Sequence, residues 1–247
     1  DRKYIIACQY LFNEFFNVER SRGLEGSGYI EFMPEKLQLR GDFSLSGDQH
    51  WSLLRFMMDT LRLSNATNYP ENVNAEDEFF EPRNRYVYFR KEKRGNSGAK
   101  QIIAFMPAEN RINKRISTVR KMLSKQGYTP EQIKEKESEI LDTLYGRLIR
   151  LKDHGYLEPI ALNNEGICYA INYKKWRARY IEDQETVYRC KRCGKISSYT
   201  IDSFCTELKC DGEMEEVTTG ALRTEPYLTS LYESDKVIPM QIREHTA

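Results

Sequence analysis

TPEQIKEKESEILDTLYGRLIRLKDHG, residues 129–155, is the stretch on which the fold turns. Thr129, Pro130 and Gln132 make a capping box with proline at the first helical position, where its missing N–H leaves nothing unpaired. Ile133, Ile140, Leu141, Leu144, Tyr145, Leu148 and Leu151 then recur at the helical period until Gly155 supplies a stop. A long amphipathic helix is predicted. Upstream, RINKRISTVRKMLSKQG (111–127) predicts a shorter one. Downstream, YLEPIAL (156–162) and ICYAINY (167–173) predict two strands joined by the NNEG turn.

Helix, helix and a two-stranded wing is the order of a winged-helix module, expected over residues 111–180. In such modules the second helix offers polar and basic side chains to a groove, and here Arg147, Arg150 and Lys152 alternate with the apolar stripe. KKWRARY (174–180) follows, with Lys174, Lys175, Arg177 and Arg179 around Trp176, an interleaving of cations and an aromatic ring that suits nucleic acid. The same residues also admit a plainer arrangement, with Trp176 packed on the wing and the charges solvated. The helix from 130 to 154 is long for a recognition helix, which leaves protein docking open as well.

Next comes CKRCGKISSYTIDSFCTELKC (190–210). Cys190 and Cys193 form a C-x2-C knuckle, and Cys205 and Cys210 a C-x4-C pair, with Gly194 and Gly212 close behind each where a tight turn is needed. Four thiolates this close suit one tetrahedral ion, and an all-sulfur set without redox demand selects zinc. Two disulfides are the competing arrangement, typical of small secreted domains. A structural zinc ribbon is expected over 181–219, because a segment this short and poor in large apolar residues needs a staple. Contact with nucleic acid through Arg189, Lys191, Arg192 and Lys195 is the alternative use. Cys8 and Cys168 stand apart in apolar surroundings and read as inert buried thiols.

The first 110 residues predict a mixed helix and strand region. Ile5, Ile6, Leu11, Phe12, Phe15 and Phe16 suit an amphipathic helix ended by Gly23, and GYIEFMPEKLQLRG (28–41) reads as extended. A helix from near Ser46 carries Trp51, Leu54, Met58 and Leu61 on one stripe, which reads as core. NATNYPENVNAEDE (65–78) is a polar loop, and RYVYFRKEKRGNSGAKQIIAFM (85–106) predicts a hairpin. The fold class is thus mixed α+β.

Lys and Arg number 38 against 37 Asp and Glu, a formal charge of +1, which excludes a chain coated throughout for nucleic acid. No apolar run is long enough to cross a membrane and no leader is present, so a cytoplasmic location is expected. The start at Asp1 and the ending VIPMQIREHTA predict an excerpt from a longer polypeptide.

LLRFMMDTLRL (53–63) before an acidic loop, a winged-helix segment ending GICYAINYKKWRARY (166–180), the four-cysteine ribbon and the final REHTA (243–247) occur in one order. In this the chain resembles the large superfamily-2 DEAD/DEAH-type helicases of bacterial anti-phage defence, above all the DISARM type, with the Druantia type and DUF1998-associated helicases as relatives. The resemblance touches most of residues 46–247. It implies that Arg243, Glu244, His245 and Thr246 belong to a strand opening the second RecA-like lobe, with residues 220–247 leading into it. It further implies a DNA-binding accessory region of an ATP-dependent motor, with ATP and Mg2+ held only by the parent protein. DNA, the remaining lobes and a further defence-system subunit would be its partners.

No G-x-x-x-x-G-K-[ST] cradle and no D-E-x-H or D-E-x-D box occurs, and EDEFF (76–80) sits in the polar loop. No catalytic residues are assigned. The alternative to the helicase region is a non-enzymatic scaffold or adaptor that docks a partner through the ribbon and winged helix.

Overall fold

One helix, Gly47–Arg62 (α2 in chain order), lies at the centre of the main core. Ser46 starts it: the Ser46 hydroxyl accepts from the Gln49 amide, and the Gln49 side chain accepts from the Ser46 amide in return. Trp51, Leu54, Met58 and Leu61 are buried as expected, but so are Leu53, Phe56 and Met57 on the remaining faces. The helix is enclosed rather than amphipathic, because other elements close over the sides the stripe left open. The computed structural model describes residues 2–16, 23–92, 101–108, 111–163 and 165–223.

Helix α1 (Arg2–Phe15) packs Phe12 and Phe15 onto this core, and Phe15 meets Phe32 of strand β1 (Ile30–Pro34) edge-on. Residues 85–106 do not form the predicted hairpin. Strands β2 (Tyr88–Arg90) and β3 (Ile102–Ala104) pair in parallel, Tyr88 opposite Ile102. Alternation marks residues as a strand without specifying the neighbour. Here Phe89, fully buried, lies opposite Tyr169 in strand β5 (Gly166–Ile171), and that antiparallel pairing is the one that completes the sheet.

Helices α3 (Lys114–Lys125) and α4 (Pro130–Arg150) stand where the sequence predicts them, capped by Asn113 and by the Thr129–Gln132 box. Arg120 donates two hydrogen bonds to the Glu137 carboxylate and ties the two helices together. After α4 a short 3-10 turn, Leu151–His154, runs to Gly155, whose φ of 77° is the left-handed stop. Strand β4 (Leu157–Leu162) then pairs antiparallel with β5 from Leu157–Ile171 to Leu162–Gly166, giving the four-stranded order β3-β2-β5-β4.

Strand β6 (Trp176–Tyr180) runs antiparallel to β1, with Trp176 opposite Pro34. Both sheets therefore cross residue 110, joining 1–110 to 111–180 through hydrogen-bonded strands. The last sheet, β8-β7-β9, is formed by β7 (Thr186–Cys190), β8 (Ile196–Ser197) and β9 (Met214–Thr218), followed by a short helix α5 (Thr219–Arg223). The expected strand at Arg243, Glu244, His245 and Thr246, and the rest of 224–247, lie outside the described residues.

Arg62 ties the core together from within. Its side chain has no exposed surface; it donates to both Glu25 oxygens at 3.0 Å and to Asp59 at 3.0 Å. Its guanidinium carbon lies 5.0 to 5.3 Å from the ring centres of Phe15, Phe32 and Trp176. Two carboxylates and three aromatic faces replace the water this cation gives up.

Candidate metal centre

Strand β7 ends on Cys190 and the chain turns at once, bringing Cys193 back at the surface. Gly194 follows with φ 71°, a conformation ordinary side chains resist. The second pair arrives on an irregular loop before β9. Gly212 is required by space: a Cβ there would stand 2.6 Å from the Cys190 sulfur. The four sulfurs of Cys190, Cys193, Cys205 and Cys210 all lie within 4.8 Å of one another.

All four are free thiols, so the disulfide arrangement is set aside. Sulfur pairs Cys190–Cys210 and Cys193–Cys205 are 3.6 and 3.7 Å apart. Four sulfurs placed tetrahedrally about 2.3 Å from one ion are about 3.8 Å apart, so the set fits a metal ion.

Backbone amides prepare the sulfurs for negative charge. Arg192 and Cys193 amides donate to the Cys190 sulfur at 3.4 and 3.5 Å, and the Gly212 amide to Cys210 at 3.4 Å. Burial alone would raise the Cys190 thiol, but these amides and the neighbouring thiols bring it down to about 7. Burial pushes the Cys193 and Cys205 thiols up, a cost that a bound cation offsets by holding both as thiolates.

Sequence reasoning did not find the groups that fasten this centre to the helices. Lys121 of α3 donates to three carbonyls of the second knuckle, Cys205 at 2.8 Å, Glu207 at 2.6 Å and Cys210 at 2.6 Å. Lys125 reaches Asp202, and Lys114 reaches the Glu207 carboxylate at 2.7 Å. Burial alone would raise the Glu207 carboxyl, but Lys195 and Lys114 hold it well below the usual carboxylate range. A signal was present: positions 114, 121 and 125 share one face of a helix.

The nine basic residues read as nucleic-acid contacts divide unevenly. Six are engaged within the chain: Arg147 with Asp42, Lys175 and Arg177 with Glu35, Arg179 with Glu31 and Glu185, Lys191 with Glu213 and Arg192 with Asp211. Arg150, Lys152 and Lys174 are exposed, without a carboxylate partner among the described residues. The segments that carry Lys152 and Lys174 meet where Asn172 donates to the Gly155 carbonyl at 2.9 Å. Trp176 is no stacking platform: it is 8% exposed and meets Phe15 edge-on, because β6 turns it inward beneath α1. The outer face of α4 carries Glu131, Glu135, Glu139 and Asp142, so its first turns present more acid than base. Cys168 is buried as expected, and Cys8 is partly so.

No helix among the described residues is long and apolar enough to cross a membrane. No family model, curated protein or solved structure matches the chain.

Proposed function

We propose that this chain is the DNA-gripping accessory region of an ATP-dependent helicase or translocase of the bacterial anti-phage defence class. In this reading a winged helix and a zinc ribbon form one unit beside motor lobes encoded elsewhere in the polypeptide. The observation that carries it is the element order α2, β2, β3, α3, α4, β4, β5, with β2 and β4 flanking β5 antiparallel and β3 added parallel at the outer edge of β2. Three helices and a small sheet in that order are the parts of a winged helix, with β4 and β5 as its wing.

The metal is zinc, since a closed set of four thiolates suits an ion with no redox role. The ribbon serves as a staple, and its lysine clamp on α3 sets its angle to the wing. DNA phosphates are met by Arg150, Lys152 and Lys174, which are exposed and have no carboxylate partner among the described residues. ATP and Mg2+ belong to those motor lobes.

The test is fluorescence anisotropy of labelled duplex and single-stranded oligonucleotides with increasing salt. Three phosphate contacts give a logarithmic salt slope of about −2.7, a loss of roughly 40-fold between about 50 and 200 mM salt. Absent binding, or a flat salt response, contradicts the reading.

One feature favours a second reading, an adaptor that docks a partner protein. A groove of about 740 Å3 lies between α3 and α4, lined by Ile112, Ile116 and Ile133 and by Arg111 and Lys134. A partner held there by apolar contact would respond little to the same salt series.

A further inference from the structure

Five arginines are buried among the described residues: Arg55, Arg62, Arg90, Arg115 and Arg223. Four face a carboxylate. Arg55 has Glu31, Arg62 has Glu25 and Asp59, Arg90 has Glu165 and Arg223 has Asp183. Arg115, 7% exposed, has none among the described residues. Its nitrogens donate only to neutral oxygens: Phe105 O at 2.8 Å, Ala104 O at 2.9 Å and Thr60 Oγ1 at 3.0 Å. Burial draws its pKa down to about 10 with no opposing charge to raise it.

A guanidinium stays protonated at neutral pH, so this one is a cation taken from water without a counter-charge among the described residues, an arrangement that destabilises unless an anion arrives. Its surroundings leave room for one. Arg115 lines a pocket of about 310 Å3 between the end of α2, the start of α3 and the ribbon, together with Phe56, Thr60, Ser64, Lys114 and Lys195. Lys114 and Lys195 both pair with the Glu207 carboxylate, and Lys195 also donates to the Thr206 hydroxyl at 2.6 Å. Asp59, also in the wall, is committed to Arg62 and to the Tyr199 hydroxyl.

We propose that this pocket binds a phosphate group, with Arg115 at its inner wall and the ammonium groups of Lys114 and Lys195 beside it. With one bond each to Thr60 and Ala104, the Nη1 and Nη2 atoms of Arg115 each keep one further N–H that a phosphate oxygen can accept. The phosphate is either free inorganic phosphate or a phosphodiester of a nucleic-acid strand. The second source rests on the DNA-binding reading above and would place the strand across the junction of wing and ribbon.

Thermal denaturation of the full, metal-loaded chain in phosphate and in chloride at matched ionic strength tests the site, with Lys114→Ala and Ser64→Glu as variants. Lys114 and Ser64 lie at the exposed side of the pocket, so both variants should fold. Phosphate is expected to raise the wild-type Tm by several degrees, through preferential binding to the folded state. Both variants should lose most of that gain, and Ser64→Glu should melt higher than wild type in chloride because its carboxylate supplies the missing counter-charge.

Oligonucleotide binding separates the sources. If the strand uses the pocket, phosphate competes with DNA and Lys114→Ala weakens DNA binding about five-fold, flattening the salt slope by about one. Phosphate stabilisation that depends on Lys114, in a chain that binds no DNA, supports the pocket as a free-phosphate site and ends the DNA reading. A Tm indifferent to phosphate, or a gain that survives in both variants, overturns the site; DNA binding of equal strength in all three proteins would then leave the DNA reading standing.

Discussion

Replacing Lys121 by methionine keeps the aliphatic stem and removes the ammonium that joins α3 to the second cysteine knuckle. Three carbonyls, those of Cys205, Glu207 and Cys210, then lose a donor at 2.6 to 2.8 Å. A hydrogen bond to a charged group contributes roughly 1.5 to 3 kcal/mol, and these three share one partly solvated ammonium, so the joint loss is about 2 to 4 kcal/mol rather than their sum. At about 1.4 kcal/mol per decade this amounts to a roughly 30- to 700-fold rise in local opening. Hydrogen exchange followed by mass spectrometry reads it at the amides of Cys205 and Cys210, which donate to Gly212 O and Glu207 O within the knuckle. The metal content should stay the same, because no thiolate is touched. Unchanged exchange over 201–214 would falsify the clamp and make Lys121 an ordinary surface amine.

Three further outcomes are expected. Arg62→Met leaves Glu25 and Asp59 facing each other without a cation and should lower stability by about 3 to 5 kcal/mol in denaturant titration; a loss below about 1 kcal/mol contradicts its central role. Glu207, whose carboxyl is lowered in the folded state, contributes stability that is complete above the unfolded value of about 4.3 and disappears as pH falls toward about 2. Glu207→Gln should flatten the acid limb of a pH–stability profile, and an unchanged limb would deny the Lys114 and Lys195 pairing. The purified chain should show no DNA-stimulated ATP hydrolysis, and turnover that survives rigorous purification would place a motor inside these residues.

What could be read from the residues alone was local. The helix start near Ser46, the Thr129–Gln132 capping box, the Gly155 stop, the β4–β5 hairpin and the four cysteine positions each depend on neighbours a few residues apart, and each stands where expected. What escaped depended on distant partners. The 85–106 segment alternates as a strand should, yet its antiparallel neighbour is Tyr169 of β5 rather than its own second half. The basic run 174–180 resembles a nucleic-acid surface until Glu31 and Glu35, some 140 residues earlier, take up three of its charges across β1. Trp176 turned inward for the same reason, since pairing with β1 fixes which side of β6 faces Phe15. The phosphate pocket was invisible because its walls come from three separate stretches of chain that meet only when the ribbon docks on α3.

The central claim is that Cys190, Cys193, Cys205 and Cys210 hold one ion whose binding orders the ribbon against the helices. Elemental analysis of freshly purified chain, paired with limited proteolysis of Cys205→Ser, tests it most directly. About one zinc per chain is expected in the wild type, with reduced metal and rapid cleavage within 186–218 in the variant. A metal-free wild type, or a variant that resists protease as well as its parent, contradicts it.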